Sequence, residues 1–379
     1  PITAMLAPML LSALFAAPAM AQDAPELANV FTTYAATTPQ INLKLDRERA
    51  QQLGVSRNVL REALRSLEMA GVLRVEVRVR HGRGGAAFGG LHHSKYCQPL
   101  FDEFDDRIMR TPIAELGFCG MGVGAAIAGL YPIVTIGTGS FAFEAWPQIC
   151  NEAPNITYMS GGQVKVPVMF QALVGIRISG AAQHSARPQA MLMQAAGLQV
   201  IAPSRASDVG PLLKAARDSE RPTFWIDHAL LFEEMDGLPP AKAPPALGKA
   251  EIVRAGKDVT LVGYSMDLVR CVKAAAVLEK MGIDAEVIDL RTLTPLDSDT
   301  ICESVTRTGR LVVADECYPS ASVASEVASI FTDKGFGLLR KPVKRLNFPA
   351  VPVPLSPPLE MHLLPTVEKI VAAAVELVG

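Results

Sequence analysis

The chain has 379 residues, more than one typical domain holds. Hydrophobic residues make up 49% and charged residues 20%, which excludes a mainly disordered chain and fits a globular α/β protein. A formal net charge of -2 gives no global electrostatic reason to expect nucleic acid or anionic membrane as the main partner.

Residues 1–24 form an apolar leader. Within it, residues 4–21 resemble a signal peptide, ending Ala19-Met20-Ala21 before Gln22-Asp23 like a small-residue cleavage site, although the positively charged start is missing. Pro8 and Pro18 interrupt the run, which is too short for a comfortable membrane span, so no stable membrane association is expected. A basic helical segment follows over residues 41–85, and an α/β region over residues 86–379. The proline-rich residues 237–247 read as an extended linker that divides this region into residues 86–236 and 248–379.

In the first of these, β-branched runs at residues 132–136, 166–170, 198–201 and 223–226 predict strands, and residues 113–130, 142–153 and 207–217 predict helices. In the second, strands are expected at 259–263, 285–290 and 311–314, and helices at 266–281, 298–306, 322–332 and 366–377. Nearly all-apolar strands between helices imply two α/β domains built on mainly parallel sheets covered on both faces. Gly117, Gly120, Gly122 and Gly124 crowd the first helix. The spacing is not the G-x-G-x-x-G of a dinucleotide loop, and close packing is preferred over phosphate cradling, at a cost of roughly 1 kcal/mol of helix propensity per glycine.

Cys97, Cys119, Cys150, Cys271, Cys302 and Cys317 lie far apart, with neither a C-x-x-C pair nor metal-ligand spacing. Free thiols suit a reducing compartment, so a cytoplasmic location is expected, in conflict with the signal-like leader.

Three separated motifs carry a family resemblance: Thr111-Pro112-Ile113-Ala114-Glu115, Thr157-Tyr158-Met159-Ser160-Gly161-Gly162-Gln163 and Ala181-Ala182-Gln183-His184-Ser185. Their order and approximate spacing resemble beta subunits of thiamine-diphosphate-dependent 2-oxo-acid dehydrogenases of the pyruvate, acetoin and branched-chain types. Residues 287–297 and 309–313 resemble that family's C-terminal domain, so the likeness covers about residues 86–379. It implies a transketolase-like pyrimidine-binding domain followed by a transketolase C-terminal-like domain, with an atypical helical N-terminal segment.

The resemblance also implies roles. Glu115 corresponds to the glutamate that hydrogen-bonds the cofactor aminopyrimidine and favours the tautomer that activates the thiazolium carbon. Phe141 corresponds to an aromatic ring against the pyrimidine, and Ile113 to a cofactor-contacting backbone position. His184 corresponds to an active-site histidine that assists transfer to the lipoyl group, and an imidazole suits proton handling near neutral pH. Asp218 lies near where some members hold a structural potassium ion. Without the motifs, each has a plainer reading as a helix-end carboxylate, a core aromatic or a structural histidine. The family's Gly-Asp-Gly motif for Mg2+ and diphosphate does not occur in the sequence. An alpha subunit is therefore implied for that half, in an α2β2 heterotetramer docking onto a lipoyl acyltransferase core and acting on a small 2-oxo acid. Gly162-Gln163-Val164-Lys165-Val166-Pro167 looks closest to the acetoin and pyruvate branches.

The sequence departs from the family in two places. Val79-Arg80-His81-Gly82-Arg83-Gly84-Gly85 stands where an acidic turn is usual, and Ala186-Arg187-Pro188 breaks the pattern after His184, leaving that loop's geometry open. Residues 53–73 resemble the helix-turn-helix of GntR-type transcription regulators, with Ser56 as a cap and Arg57, Asn58 and Arg61 able to face DNA. A DNA-binding regulator fragment and a mosaic chain without activity are thus the alternatives to the enzyme subunit.

Overall fold

The computed structural model describes residue 109, residues 111–233, residue 238 and residues 241–379. The signal-like leader, the helix-turn-helix-like segment and the atypical turn before residue 86 lie outside the described residues.

The first described region opens with helix α1 (Glu115–Ile127), which leads through a short connection to β1 (Ile133–Thr138). Gly122 explains part of its glycine content, because a Cβ there would meet Val134 Cγ2 of β1 at 2.4 Å. Close packing on the sheet thus accounts for Gly122, whereas Gly117 is exposed and a Cβ at Gly120 would meet Gln148 Cγ at 3.5 Å. After β1 come a 3₁₀ turn (Gly139–Ala145), a wide π-type turn (Pro147–Glu152) and α2 (Ala153–Met159), then β2 (Met169–Val174). The single helix expected over residues 142–153 is therefore broken. Pro147 has no N–H to donate into the preceding turn, and Pro154 sits at the first turn of α2, where that loss costs nothing. The strand expected over residues 166–170 begins only at Met169, because Pro167 has no ladder donor and Val168 N donates to Val166 O instead.

The chain continues through α3 (Gln189–Met193), β3 (Gln199–Ile201), α4 (Ala206–Asp218) and β4 (Thr223–His228). Beyond the proline-rich stretch come β5 (Glu251–Arg254), β6 (Val259–Gly263), α5 (Ser265–Lys280), β7 (Ala285–Asp289), β8 (Thr292–Thr294), α6 (Ser298–Thr308) and β9 (Leu311–Asp315). The last elements are α7 (Val323–Asp333), β10 (Lys344–Asn347), α8 (Pro357–Leu363) and α9 (Val367–Val378).

Two five-stranded sheets result, in the orders β1-β2-β4-β3-β8 and β10-β9-β6-β7-β5. Among the described residues only β3 with β8 and β5 with β7 pair antiparallel; the other pairs are parallel. These are the two expected α/β layers with one addition. Strand β8 leaves the second region to extend the sheet of the first. One buried apolar cluster accordingly runs from Phe170, Phe224 and Ile226 to Val262, Ile288 and Leu293. Each such side chain contributes about 1.5–3 kcal/mol relative to exposure, which joins the two layers firmly.

Ionic groups are buried in the same seam. Arg291 bonds Asp208 at 2.8 Å and Glu251 at 2.7 Å, and Arg205 also pairs with Glu251. Asp289 Oδ1 accepts from Ser204 Oγ at 2.9 Å and from Arg291 N at 3.1 Å, while its Oδ2 is buried without a partner. Burial pushes the Asp289 carboxyl up to about 7, against the opposing pull of Ser204, Arg205 and Arg291.

The unfolded chain releases this proton near pH 3.8, so between there and about 7 the folded state holds a proton the unfolded state does not. That stability is complete below the unfolded value and is lost as pH rises through the folded one. Asn at this position does not titrate. We expect Asp289→Asn to gain on the wild type by roughly 3 kcal/mol between pH 5 and pH 8, read from urea unfolding at both. A gap that stays constant with pH would show that Asp289 is ionised throughout.

Candidate active site

In open parallel sheets, ligands bind beyond the carboxyl ends of the strands. Strands β1 and β2 are neighbours and deliver the two sequence-predicted rings at that edge. Phe141 lies in the 3₁₀ turn directly after β1, and His184 closes a second 3₁₀ turn (Ala182–His184) in the loop after β2. Their ring centroids are 5.5 Å apart at an interplanar angle of 75°, an edge-to-face contact. The half-buried Phe141 is thus a wall against which the exposed imidazole of His184 stands.

Polar contacts hold this arrangement together. Thr138 Oγ1 donates to His184 O at 3.2 Å, and Ser140 Oγ accepts from Ala186 N at 3.2 Å. Gly139 allows the two segments to approach, since a Cβ there would lie 3.0 Å from both Pro188 Cδ and Val174 Cγ1. Thr138, Gly139 and Ser140 were not singled out in the sequence. The available signal was their position immediately after a buried parallel strand.

Glu115 is the first residue of α1 and is half-buried. Ala114 provides no side-chain cap, so the carboxylate lies among free backbone donors at the positive end of the helix dipole. It also lies one turn from Cys119, whose thiol is pushed up first by burial and then by the Glu115 charge. Helix α1 packs on β1 and on the turn that carries Phe141. Ile113 sits just before it and is 64% exposed.

Asp218 is elsewhere, at the exposed end of α4. Its oxygens face Lys214 Nζ at 2.5 Å and Arg217 Nη2 at 2.9 Å. Hydrogen bonds from Lys214 and Arg217 hold its carboxyl below the ordinary range. A potassium ion there would have to displace both cationic partners.

The residues present suit the pyrimidine side of thiamine diphosphate. They offer a carboxylate at a helix start, an aromatic wall, an exposed imidazole, and Thr111 Oγ1, which is buried with no partner in the same motif as Glu115. They do not suit the metal side. Among the described residues, no group of three or more His, Cys, Asp or Glu is placed to hold a metal ion. Ile113, Leu116 and Phe143 are exposed apolar side chains near this edge, the kind of surface that partner subunits cover.

Comparison with known proteins agrees with the pyrimidine side of this description. Residues 54–229 match the family described as "Transketolase, pyrimidine binding domain", and residues 248–370 match "Transketolase, C-terminal domain". The first match begins inside the segment that resembles a helix-turn-helix. The chain is 41% identical to the pyruvate dehydrogenase E1 component subunit beta of Rhizobium meliloti (strain 1021), over 83% of this chain and 68% of that protein. It is 37% identical to the acetoin:2,6-dichlorophenolindophenol oxidoreductase subunit beta of Bacillus subtilis (strain 168), over 79% of this chain and 88% of that protein. Among solved structures it is similar to a "Split gene transketolase, inactive beta4 tetramer", with a TM-score of 0.62 and 25% identity, covering 76% of this chain and 90% of that one. No helix among the described residues is long and apolar enough to cross a membrane. Two transketolase-type domains in order, together with beta-subunit relatives matched over most of their length, place the chain in the family of beta subunits of thiamine-diphosphate-dependent 2-oxo-acid dehydrogenases.

Proposed function

We propose that this chain forms the pyrimidine-binding half of an active site that an alpha subunit completes in an α2β2 heterotetramer. The assembly oxidatively decarboxylates a small 2-oxo acid of the pyruvate type, or cleaves acetoin, and passes the acyl group to a lipoyl group on an acyltransferase core. The observation that carries the reading is the meeting of Phe141 and His184 at the carboxyl ends of β1 and β2, beside the helix that starts at Glu115.

In this reading Glu115 hydrogen-bonds the aminopyrimidine ring and exchanges a proton with it, Ile113 presents backbone to the ring, and Phe141 packs against it. When bound, thiamine diphosphate supplies the carbanion equivalent that attacks the substrate carbonyl. His184 stands on the open side of Phe141, where its imidazole can give or take a proton during acyl transfer. Mg2+ and the diphosphate belong to the alpha subunit, whose oxygen ligands would meet the metal's demand. Potassium at Asp218 is the weakest of the transferred assignments, because Lys214 and Arg217 already neutralise that carboxylate. A cytoplasmic setting suits the free thiols Cys119, Cys150, Cys271, Cys302 and Cys317.

The regulator alternative gains no support from the matches to the two transketolase-type domains. Co-expression with a cognate alpha subunit tests the enzyme reading directly. Thiamine-dependent reduction of an artificial electron acceptor is expected with pyruvate, a branched 2-oxo acid or acetoin. Absence of turnover with every substrate and alpha partner would overturn it.

A further inference from the structure

The loop that carries His184 has an unusual backbone. Ile178, Ser179 and Ala181 all lie in the left-handed region, with φ of 58°, 60° and 53°, and none of them is glycine. For a β-branched residue such as Ile178 this conformation is strongly disfavoured, and it persists only where the surroundings over-determine it. Two carboxylates from the second region of the chain do so.

Glu316 Oε1, just past the end of β9, accepts from Ile176 N at 2.8 Å and from Arg187 Nη2 at 3.3 Å. One oxygen therefore pinches both ends of the loop. Glu360, buried on α8, holds the middle, where its Oε2 accepts from Ser179 N at 2.7 Å. Arg187 is itself fixed, its guanidinium carbon 4.1 Å from the centroid of the Phe348 ring. The Ala186-Arg187-Pro188 departure from the family pattern thus forms an anchor within this chain.

We propose that Glu316 and Glu360 are positioning residues that hold His184 in place for the acyl-transfer step. The inference rests on the function proposed above. Neither carboxylate touches His184; each acts by fixing the backbone on which the imidazole rides. A loop freed at Ser179 leaves the Phe141 wall and α1 unchanged, so it should impair transfer far more than decarboxylation.

The test uses the assembled enzyme with its alpha subunit and compares Glu360→Ala with Glu360→Gln. Glu360→Ala is expected to slow reductive acylation of a lipoyl domain by about 10²-fold at saturation, the scale of a misplaced group, with a far smaller effect on turnover with an artificial acceptor. Hydrogen exchange in peptides covering residues 177–185 should rise in the same variant. Glu360→Gln should restore both, because its amide oxygen still accepts from Ser179 N. Arg187→Gln, which frees the other end of the loop, is a second route to the same split should Glu360→Ala fail to assemble. Unchanged exchange, an equal loss in both reactions, or a Gln variant as impaired as Ala would overturn the proposal. A wild-type assembly without thiamine-dependent turnover would overturn the functional reading and the catalytic purpose of the tether, while exchange would still decide whether the tether exists.

Discussion

Glu115→Gln in the assembled enzyme is expected to lower kcat for thiamine-dependent decarboxylation by about 10²–10⁴-fold, the range associated with losing a positioned acid or base. The two side chains have almost the same shape, and both can hold a hydrogen bond to a ring nitrogen. Only the carboxyl can exchange a proton there. Because that exchange is needed for the reaction rather than for binding, kcat should fall while KM changes little. Structural damage is a poor explanation for such a loss. Glu115 is half-buried in the first turn of α1, and removing its charge forfeits only about 0.3–1 kcal/mol of helix-dipole stabilisation. The unfolding midpoint should therefore hardly move. Turnover within a few-fold of the wild type would show that the Thr111-to-Glu115 motif has been carried over without its function.

Strand β6 coincides with the expected residues 259–263 because a run apolar but for Thr260 follows the charged Lys257-Asp258, and such a run is satisfied in a covered parallel sheet, where the Thr260 hydroxyl meets those of Ser304 and Thr308. Helices α6, α7 and α9 start within one residue of the expected 298, 322 and 366, where Asp297, Ser322 and Thr366 each accept from a backbone N–H three residues on. Strands β8 and β10 were not legible. They are three or four residues long and carry polar side chains, and they exist because β3 and β9 offer free edges. The candidate site divides in the same way. Glu115 and His184 stand in short motifs that carry the family resemblance, and that resemblance also pointed to Phe141, whereas Glu316 and Glu360 lie 140 and 181 residues along the chain from the amides they hold. No local pattern reports a contact at that separation. The one available hint was a pair of acidic residues, Asp315-Glu316, closing an otherwise apolar run.

Glu316→Gln is expected to destabilise the protein by about 3–5 kcal/mol, the usual loss when one partner of a buried ion cluster is removed. Glu316 Oε2 accepts from Arg270 Nη1 at 3.0 Å and lies 3.1 Å from His228 Nε2. Leu230 N donates to His228 Nδ1 at 3.2 Å, which turns the Nε2 side of the ring toward the carboxylate. The cluster sets Arg187 and Arg270 against Asp267 and Glu316. An amide in place of Glu316 leaves two guanidinium groups buried with one carboxylate, and turns an N–H donor toward other donors. Burial alone would raise the Glu316 carboxyl, but the electrostatic pull of His228 and its hydrogen bond, followed by the charges of Arg270 and Arg187, hold it well below the ordinary range. Its contribution is therefore present above the unfolded value near 4.5 and is lost only as pH falls through the depressed folded value. Between pH 5 and pH 8 the Glu316 carboxyl itself therefore adds no slope to the difference between variant and wild type, the opposite of the behaviour expected at Asp289. Removing a second member of the cluster sharpens the test. Arg187→Met places an apolar chain against Phe348 and Tyr318, so Arg187→Met with Glu316→Gln should recover part of the loss from Glu316→Gln alone. Strict additivity of the two substitutions would mean that Arg187 and Glu316 are neighbours without being partners.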